Sequence, residues 1–283
     1  MNILLTGSNG FIGNYFINNY KAKYNIKTFS FRNDSLSALS LDNINQVIHL
    51  SALVHQMGGA SKEEYERVNV TQTLDLATKA KQSGVKHFVF MSTVKVYGEE
   101  TSGVYTENSK CEPQDEYGKS KLKAEIKLLK LEDTGFKVSI IRTPIVYGYG
   151  VKANIKNLVS LVKKVPVIPF GKIQNKRSMV YIGNLCHLID EVIKQEQSSV
   201  FLASDDKAVS TTGLIKLIAD SLVRNTLLIR IPLFETILRL VKPSFHKRLY
   251  GSLEIDNVLT KQKLNLINPY TVEEGIKLMI QGK

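Results

Sequence analysis

Cysteine is scarce in this chain. There are two in 283 residues, Cys111 and Cys186, too few for a disulfide framework and consistent with a reducing cytoplasm. No CxxC pair or Cys/His cluster is present, so no structural metal is expected. Long apolar runs are missing as well. Nowhere do 18 apolar residues follow one another, so no transmembrane segment is expected. The apolar start MNILLTG is too short for a signal peptide and has no small-residue cleavage site behind it. There is no internal repeat, no low-complexity segment and no recognised nucleic-acid motif, and the basic residues are scattered, so nucleic acid is not an expected partner.

What is present is an ordinary globular balance, 43% hydrophobic and 23% charged, on a chain long enough for one large α/β domain with a smaller cap. Lys and Arg outnumber Asp and Glu by 38 to 26, giving +12. That favours an anionic partner: nucleic acid, an anionic membrane or a phosphorylated small molecule. Charge alone does not choose among them.

The first half alternates. Asn2–Leu5, Ile26–Phe31, Val47–Leu50, Lys86–Met91 and Lys137–Arg142 read as strands, and Phe11–Tyr24, Lys62–Ser83 and Tyr117–Asp133 read as helices. Gly84 closes the second helix as a residue tolerant of positive φ. Such alternation implies a parallel sheet with helices on both faces. Beyond Gly150 the pattern becomes irregular, with helical stretches at Lys156–Lys164, Ile182–Lys194, Thr212–Leu222 and Val272–Gln281.

Three short stretches carry chemistry. TGSNGFIG places Gly7, Gly10 and Gly13 between the first strand and first helix, where glycines permit a tight turn and close approach of a pyrophosphate to a helix N-terminus. YGKSK sets Tyr117 and Lys121 four apart, on one helix face, where an ammonium would lower the tyrosine's pKa. FVFMSTVKVYG delivers Ser92 and Thr93 at the carboxyl end of a strand, where open α/β sheets bind ligands. Taken singly, these stretches also suit a ligand-free turn, an exposed helix pair and strand-end caps.

Together with VIHLSA, VNVTQT and RTPIVYG, and in this order, they resemble the extended short-chain dehydrogenases/reductases, a family of nucleotide-sugar epimerases, dehydratases and ketoreductases. The likeness spans essentially the whole chain. It implies a Rossmann-type doubly wound parallel sheet over residues 1–150 plus about 178–205. It also implies a smaller mixed α/β sugar-nucleotide-binding part over 151–177 and 206–283. By resemblance, Gly7, Gly10, Phe11, Ile12 and Gly13 line the pyrophosphate, Leu50, Ser51 and Ala52 pass under the cofactor, and Pro144 borders it. Tyr117 would be the general acid/base, Lys121 would hold the nicotinamide ribose, Thr93 would supply the catalytic hydroxyl, and Asn69 would support the helix and a proton relay. Arg177 matches an arginine placed on the substrate diphosphate, and Asn154 an asparagine that contacts the sugar nucleotide. NKRSMVYIGNL and GSLEIDN look like substrate-side segments, although Gly183 stands where many relatives carry Asp. Relatives often dimerise through the YxxxK helix, so a homodimer is an expectation of the same kind.

After the second strand, Ser30 and Arg32 occupy the zone that reads the cofactor ribose, and an arginine there suits a 2′-phosphate. NADP(H) is therefore favoured, while Asp34 keeps NAD(H) open. Dehydratases of the family carry Asp–Glu directly after the catalytic Thr; Val94 and Lys95 here argue against 4,6-dehydration. NADP(H) favours net reduction, and the arrangement VKANIKN…PFGKIQNKRSMVY resembles family reductases, which implies reduction of a UDP-4-keto-6-deoxy-N-acetylhexosamine at C4, a precursor step for bacterial capsule or O-antigen. The alternatives are an NAD-dependent UDP-sugar 4-epimerase and, outside enzymes, a cofactor-sensing binding protein. Finally, Leu227–Lys242 is apolar with Arg230 and Arg239 interspersed. It is expected to pack into the core, with peripheral membrane association, aided by His246–Arg248, as the alternative.

Overall fold

The computed structural model describes residues 1–54, 60–101 and 103–282. The chain begins with β1 (Asn2–Thr6), α1 (Phe11–Tyr20), β2 (Asn25–Phe29) and β3 (Gln46–His49). It continues through α2 (Lys62–Tyr65), a π-helical stretch Glu66–Thr71, α3 (Gln72–Gln82), β4 (His87–Thr93) and a single 3₁₀ turn Val94–Val96. Next come β5 (Val104–Tyr105), α4 (Glu116–Leu129), β6 (Lys137–Thr143), β7 (Ile145–Tyr147), α5 (Ala153–Lys164), β8 (Val167–Ile168) and β9 (Met179–Tyr181). The rest is α6 (Ile182–Gln195), β10 (Ser199–Leu202), α7 (Thr211–Ser221), β11 (Leu227–Leu228), α8 (Phe234–Val241), α9 (Pro243–Tyr250), β12 (Glu254–Ile255), α10 (Val258–Leu264) and α11 (Val272–Gln281).

Six strands form one parallel sheet in the order β10-β6-β4-β3-β1-β2. Every residue of β3 and β4 is buried, because a parallel strand covered on both faces has no solvent side. Alternate residues feed two cores. Ile3, Leu5, Ile48 and Val89 meet Phe16 of α1 and the apolar side of α6, whereas Leu4, Val47, Phe88 and Phe90 meet Leu76 and Ala80 of α3 and Ala124 and Leu128 of α4. From β1 the chain steps outward to β2, then returns to the other side of β1 as β3. The crevice at the carboxyl ends of β1 and β3 is therefore the topological switch point, where such sheets bind ligands.

The alternating α/β plan expected from the sequence is the observed architecture, with local differences. The helix expected over Lys62–Ser83 is interrupted by the π-helical stretch, whose extra residue rotates Asn69 into the interior, fully buried. α1 stops at Tyr20 rather than Tyr24, since Tyr24 turns inward to donate its hydroxyl to Asp190 at 2.6 Å. β4 runs on to Thr93 and α4 ends at Leu129. After β9 the chain rejoins the large sheet, where β10 pairs with β6 and α6 packs on the α1 side. Among the described residues, no helix is long and apolar enough to cross a membrane.

The first turn of the fold rests on backbone meeting backbone. A Cβ on Gly13 would lie 2.3 Å from the carbonyl oxygen of Gly7, and one on Gly7, which has φ +71°, would lie 2.9 Å from Leu50 C and Ser51 N. Neither neighbour is a side chain that can swing away. Gly13→Ala is accordingly expected to lower the unfolding free energy by about 2 kcal/mol, read by urea denaturation; an unchanged midpoint would show that α1 shifts freely.

Candidate active site

Gly10 caps α1 without a side-chain bond, so the amides of the first turn, at Phe11, Ile12 and Gly13, face the switch-point crevice. Gly10 N–H instead donates to Gly7 O at 2.9 Å, closing the turn. The opposite wall is Leu50–Ser51–Ala52. It is tied to β1 by Ser51 N–H, which donates to Thr6 Oγ1 at 3.2 Å. Beneath it, buried His49 lies 2.8 Å from Thr6 Oγ1 and 3.0 Å from Thr73 Oγ1, and burial pushes its pKa down to about 3, so it bridges as a neutral ring. A glycine cradle that a Cβ would fill, facing an open helix N-terminus, fits the diphosphate of a dinucleotide.

At the far end of β2, Ser30 N–H donates to the Asp34 carboxylate at 2.8 Å, and Asp34 N–H donates to Ser30 O at 2.8 Å. Asp34 is thus folded back as the turn's own cap. Arg32 sits exposed at the tip, with no ion pair among the described residues. One oxygen of the Asp34 carboxylate is spent on its own turn, and the Arg32 guanidinium is available to an anion.

α4 carries the candidate Tyr117–Lys121 pair. Asp115 caps it by accepting from Gly118 N–H at 2.7 Å, and its other oxygen pairs with Lys95, which also lies 3.1 Å from Glu99. This couples the helix start to the turn leaving β4. Tyr117 lies on the first turn, its ring 6.3 Å from that of Tyr65. One turn on, Lys121 is 1% exposed, its Nζ 3.7 Å from the centre of the Phe90 ring. Another turn on, buried Glu125 takes Arg142 through Nε and Nη2, with Nη2 at 2.6 Å, and accepts from Ser92 Oγ. Glu125 was not foreseen from sequence, although its place four residues beyond Lys121 puts it on the same helix face.

The electrostatics differ from the sequence expectation in one respect. Burial pushes the Tyr117 phenol up, with Asp115 and Tyr65 adding to the shift, and Lys121 does not offset it. Burial also lowers Lys121 itself to about 7, against a smaller upward pull from Glu125. The reason is that the ammonium is desolvated over an apolar ring, and the nearby carboxylate is shared with Arg142.

The two hydroxyls at the end of β4 separate cleanly. Ser92 is committed to Glu125, whereas Thr93 accepts from Lys95 N–H at 3.3 Å, which uses a lone pair and leaves its proton to donate. Val94 is buried, and Lys95 is held by carboxylates. Asn69 clamps the crevice wall: Oδ1 accepts from Leu53 N–H at 2.8 Å, and Nδ2 donates to Leu53 O and to Ser120 Oγ, each at 3.0 Å. Ser120 in turn donates to Tyr117 O, so Asn69 links the wall to the helix of Tyr117.

On the other side, Pro144 is half-buried between β6 and β7. Arg177 donates from Nη1 to Gly251 O at 3.0 Å, and burial lowers its pKa, partly opposed by Glu100. NKRSMVYIGNL and GSLEIDN are joined by Ser178 N–H to Leu253 O and Leu253 N–H to Lys176 O, both 2.9 Å. Gly183 has no room for a side chain: a Cβ would lie 2.6 Å from the Tyr181 ring and 2.8 Å from Tyr270. Asn184 instead supplies the polar contact, donating to Asp205 at 2.7 Å. Asn154 stands exposed on the first turn of α5, and no hydrogen bond or ring contact among the described residues joins it to Tyr117 or Arg177. His187, Asp190 and Glu191 bring potential metal-ligand atoms within 4.8 Å of one another, but Asp190 is taken by Lys23 and Tyr24.

A glycine cradle at the switch point, with a tyrosine and a lysine one turn apart on α4, fits a dinucleotide-dependent enzyme of the doubly wound type. The chain belongs to the NAD dependent epimerase/dehydratase family, whose sequence model matches residues 3–202. It is 37% identical to a UDP-glucose 4-epimerase of Vibrio cholerae, over 99% of this chain and 94% of that one. Among solved structures it resembles a UDP-glucuronic acid 4-epimerase from Bacillus cereus in complex with NAD, with TM-score 0.80, 19% identity and coverage of 100% of this chain and 98% of that one. It also resembles RMD from Pseudomonas aeruginosa complexed with NADPH, with TM-score 0.83, 17% identity and coverage of 100% and 99%. The chain is an NAD(P)-dependent enzyme of the nucleotide-sugar class.

Two predictions follow from the buried charges of α4. Glu125→Ala leaves the Arg142 guanidinium buried without its carboxylate and is expected to cost about 3 kcal/mol in urea unfolding, while Glu125→Leu with Arg142→Met costs far less; equal losses would place the effect in packing instead. For Lys121 the folded pKa, about 7, lies below the ordinary 10.5. Between these values the unfolded chain holds the extra proton, so stability from this group rises with pH, and the penalty is full below about 7. Lys121→Met should raise Tm by about 3 °C near pH 6, with the gain fading by about pH 10; a pH-independent gain would refute the assignment.

Proposed function

We propose that this chain is a UDP-sugar 4-epimerase, with Tyr117, Lys121 and Thr93 as its catalytic residues. The observation that carries the reading is full-length similarity to a UDP-glucose 4-epimerase, on a site that keeps the tyrosine, lysine and hydroxyl and lacks free carboxylates beside Thr93. The similarity supports this reading better than the 4-ketoreductase expected from Arg32 and from the likeness of the later segments to reductases.

Gly7, Gly10 and Gly13 with the first turn of α1 would hold the dinucleotide diphosphate, Leu50–Ala52 and Pro144 would border the rest of it, and Lys121 would hold its nicotinamide ribose. When bound, the dinucleotide supplies the hydride acceptor and donor. Tyr117 takes the proton of the sugar C4 hydroxyl and later returns it to the C4 oxygen, while the Thr93 hydroxyl hydrogen-bonds that oxygen. Lys121 stabilises the phenolate during the exchange. Arg177 meets the sugar-nucleotide diphosphate, and Asn154 completes the substrate side. The two positions directly after Thr93 offer no carboxylate for elimination across C5 and C6: Val94 is buried and Lys95 is paired with Asp115 and Glu99. Homodimerisation through α4 belongs to the same reading, with Ile126 and Leu129 exposed on it.

One observation favours a second reading. Arg32 is available and Asp34 is engaged at the ribose end of the crevice, which suits NADPH and net reduction of a UDP-4-keto-6-deoxy-N-acetylhexosamine.

The deciding assay follows UDP-glucose and UDP-galactose, and their N-acetyl counterparts, by chromatography without added reductant. Interconversion, slowed about 10²–10⁴-fold in Tyr117→Phe, is expected. Absence of interconversion, with NADPH consumed only when the 4-keto sugar nucleotide is added, would establish the reductase. Dinucleotide binding without turnover on either substrate would leave a cofactor-sensing role.

A further inference from the structure

The apolar stretch after β11 does not pack as the sequence reading expects. α8 and α9 form a helical hairpin that turns at Lys242, and no residue of α8 is buried. The hairpin is fastened along one edge. The Phe234 ring lies 6.1 Å from Phe170, Leu238 lies against the main core, Leu249 of α9 is buried, and His246 sits 3.4 Å from Glu235.

At about 100° per residue, Phe234 and Leu238 occupy only the margin of an apolar arc about 160° wide. Leu233, Ile237, Val241 and Leu240 fill the remainder, and they are 74%, 57%, 69% and 76% exposed. Ile231 and Phe245 extend the patch, each 43% exposed. An ordinary surface helix turns its apolar stripe inward. This one turns most of its stripe outward.

The charge around the patch is predominantly positive. Residues 227–250 hold five basic side chains and a single acid, Glu235, which is occupied with His246. A second copy of the chain seated on this face would bring those cations against their own counterparts, whereas an anionic lipid surface satisfies the apolar patch and the basic rim together. An eight-residue helix is far too short to span a bilayer, so the geometry is that of a helix lying in the interface.

We propose that the α8–α9 hairpin is a membrane-docking surface. It seats Leu233, Ile237, Leu240 and Val241 in the headgroup–acyl boundary of an anionic bilayer and sets Arg230, Arg239, Lys242 and Lys247 against lipid phosphates. Gly251, which directly follows α9, is the carbonyl that holds Arg177. The hairpin is therefore joined through one carbonyl to the arginine proposed for the substrate side. The surface is independent of which C4 reaction the site performs.

The test sediments the full chain with vesicles of phosphatidylcholine, with and without phosphatidylglycerol. Binding to the anionic vesicles that weakens as salt is raised is expected. Ile237→Glu with Leu240→Glu should reduce the bound fraction about fivefold while leaving the melting temperature and turnover of a soluble UDP-sugar unchanged. No sedimentation with anionic vesicles, or binding undiminished in the double variant, would overturn the proposal. So would a chain that fails to bind vesicles and is a dimer in light scattering, which the same variant splits into monomers; a second copy would then be the occupant.

Discussion

The approach of Gly13 to the carbonyl of Gly7 is the constraint on which the site depends. It brings the start of α1 directly against the exit of β1, closer than any residue with a Cβ allows. The same turn pinches Gly7 onto Leu50 and Ser51, so the ends of β1 and β3 are held at one separation. The helix amides and the positive end of the helix dipole then open onto the crevice between those strands. Thr6, His49 and Thr73 extend this rigidity underneath as a chain of buried neutral hydrogen bonds.

The second half of the site solves a harder electrostatic problem. α4 must present a lysine that is almost wholly out of water, and Phe90 gives it a ring face rather than an anion. Glu125, one turn further along, is divided among Arg142, Ser92 and the field it exerts on Lys121. The pKa of the lysine is consequently lowered to about 7, while Arg142 keeps a full partner. Position is secured from both ends: Asp115 and Lys95 fix the start of α4 to the turn after β4, and Asn69, displaced inward by the π-helical stretch, fixes its flank to Leu53. Charge and placement are thus handled by different residues, none of which is Tyr117.

The hairpin of α8 and α9 shows a limit of periodicity as a guide. A helix that packs on a core and a helix that lies in a lipid interface share the same apolar stripe, so the pattern in Leu227–Lys242 does not distinguish them. Only the position of the helix relative to the sheet shows that Phe234 and Leu238 use up the available core, leaving Leu240 and its neighbours uncovered.

By itself the sequence determined the alternating architecture, the glycine cradle and the Tyr117–Lys121 pair, because each depends on local spacing: the reach of a turn, or one face of a helix. The role of Arg32 was legible only as a residue type near a strand end; that Asp34 caps its own turn is a matter of loop conformation. Tertiary structure decided what depends on residues distant in sequence. It separated Ser92 from Thr93 by giving the first to Glu125, and it joined Arg177 to Gly251. It also let burial outweigh the lowering of the Tyr117 pKa expected from Lys121, because a pKa follows the burial and company of a group, and those are set only once β4, α4 and β6 have packed together.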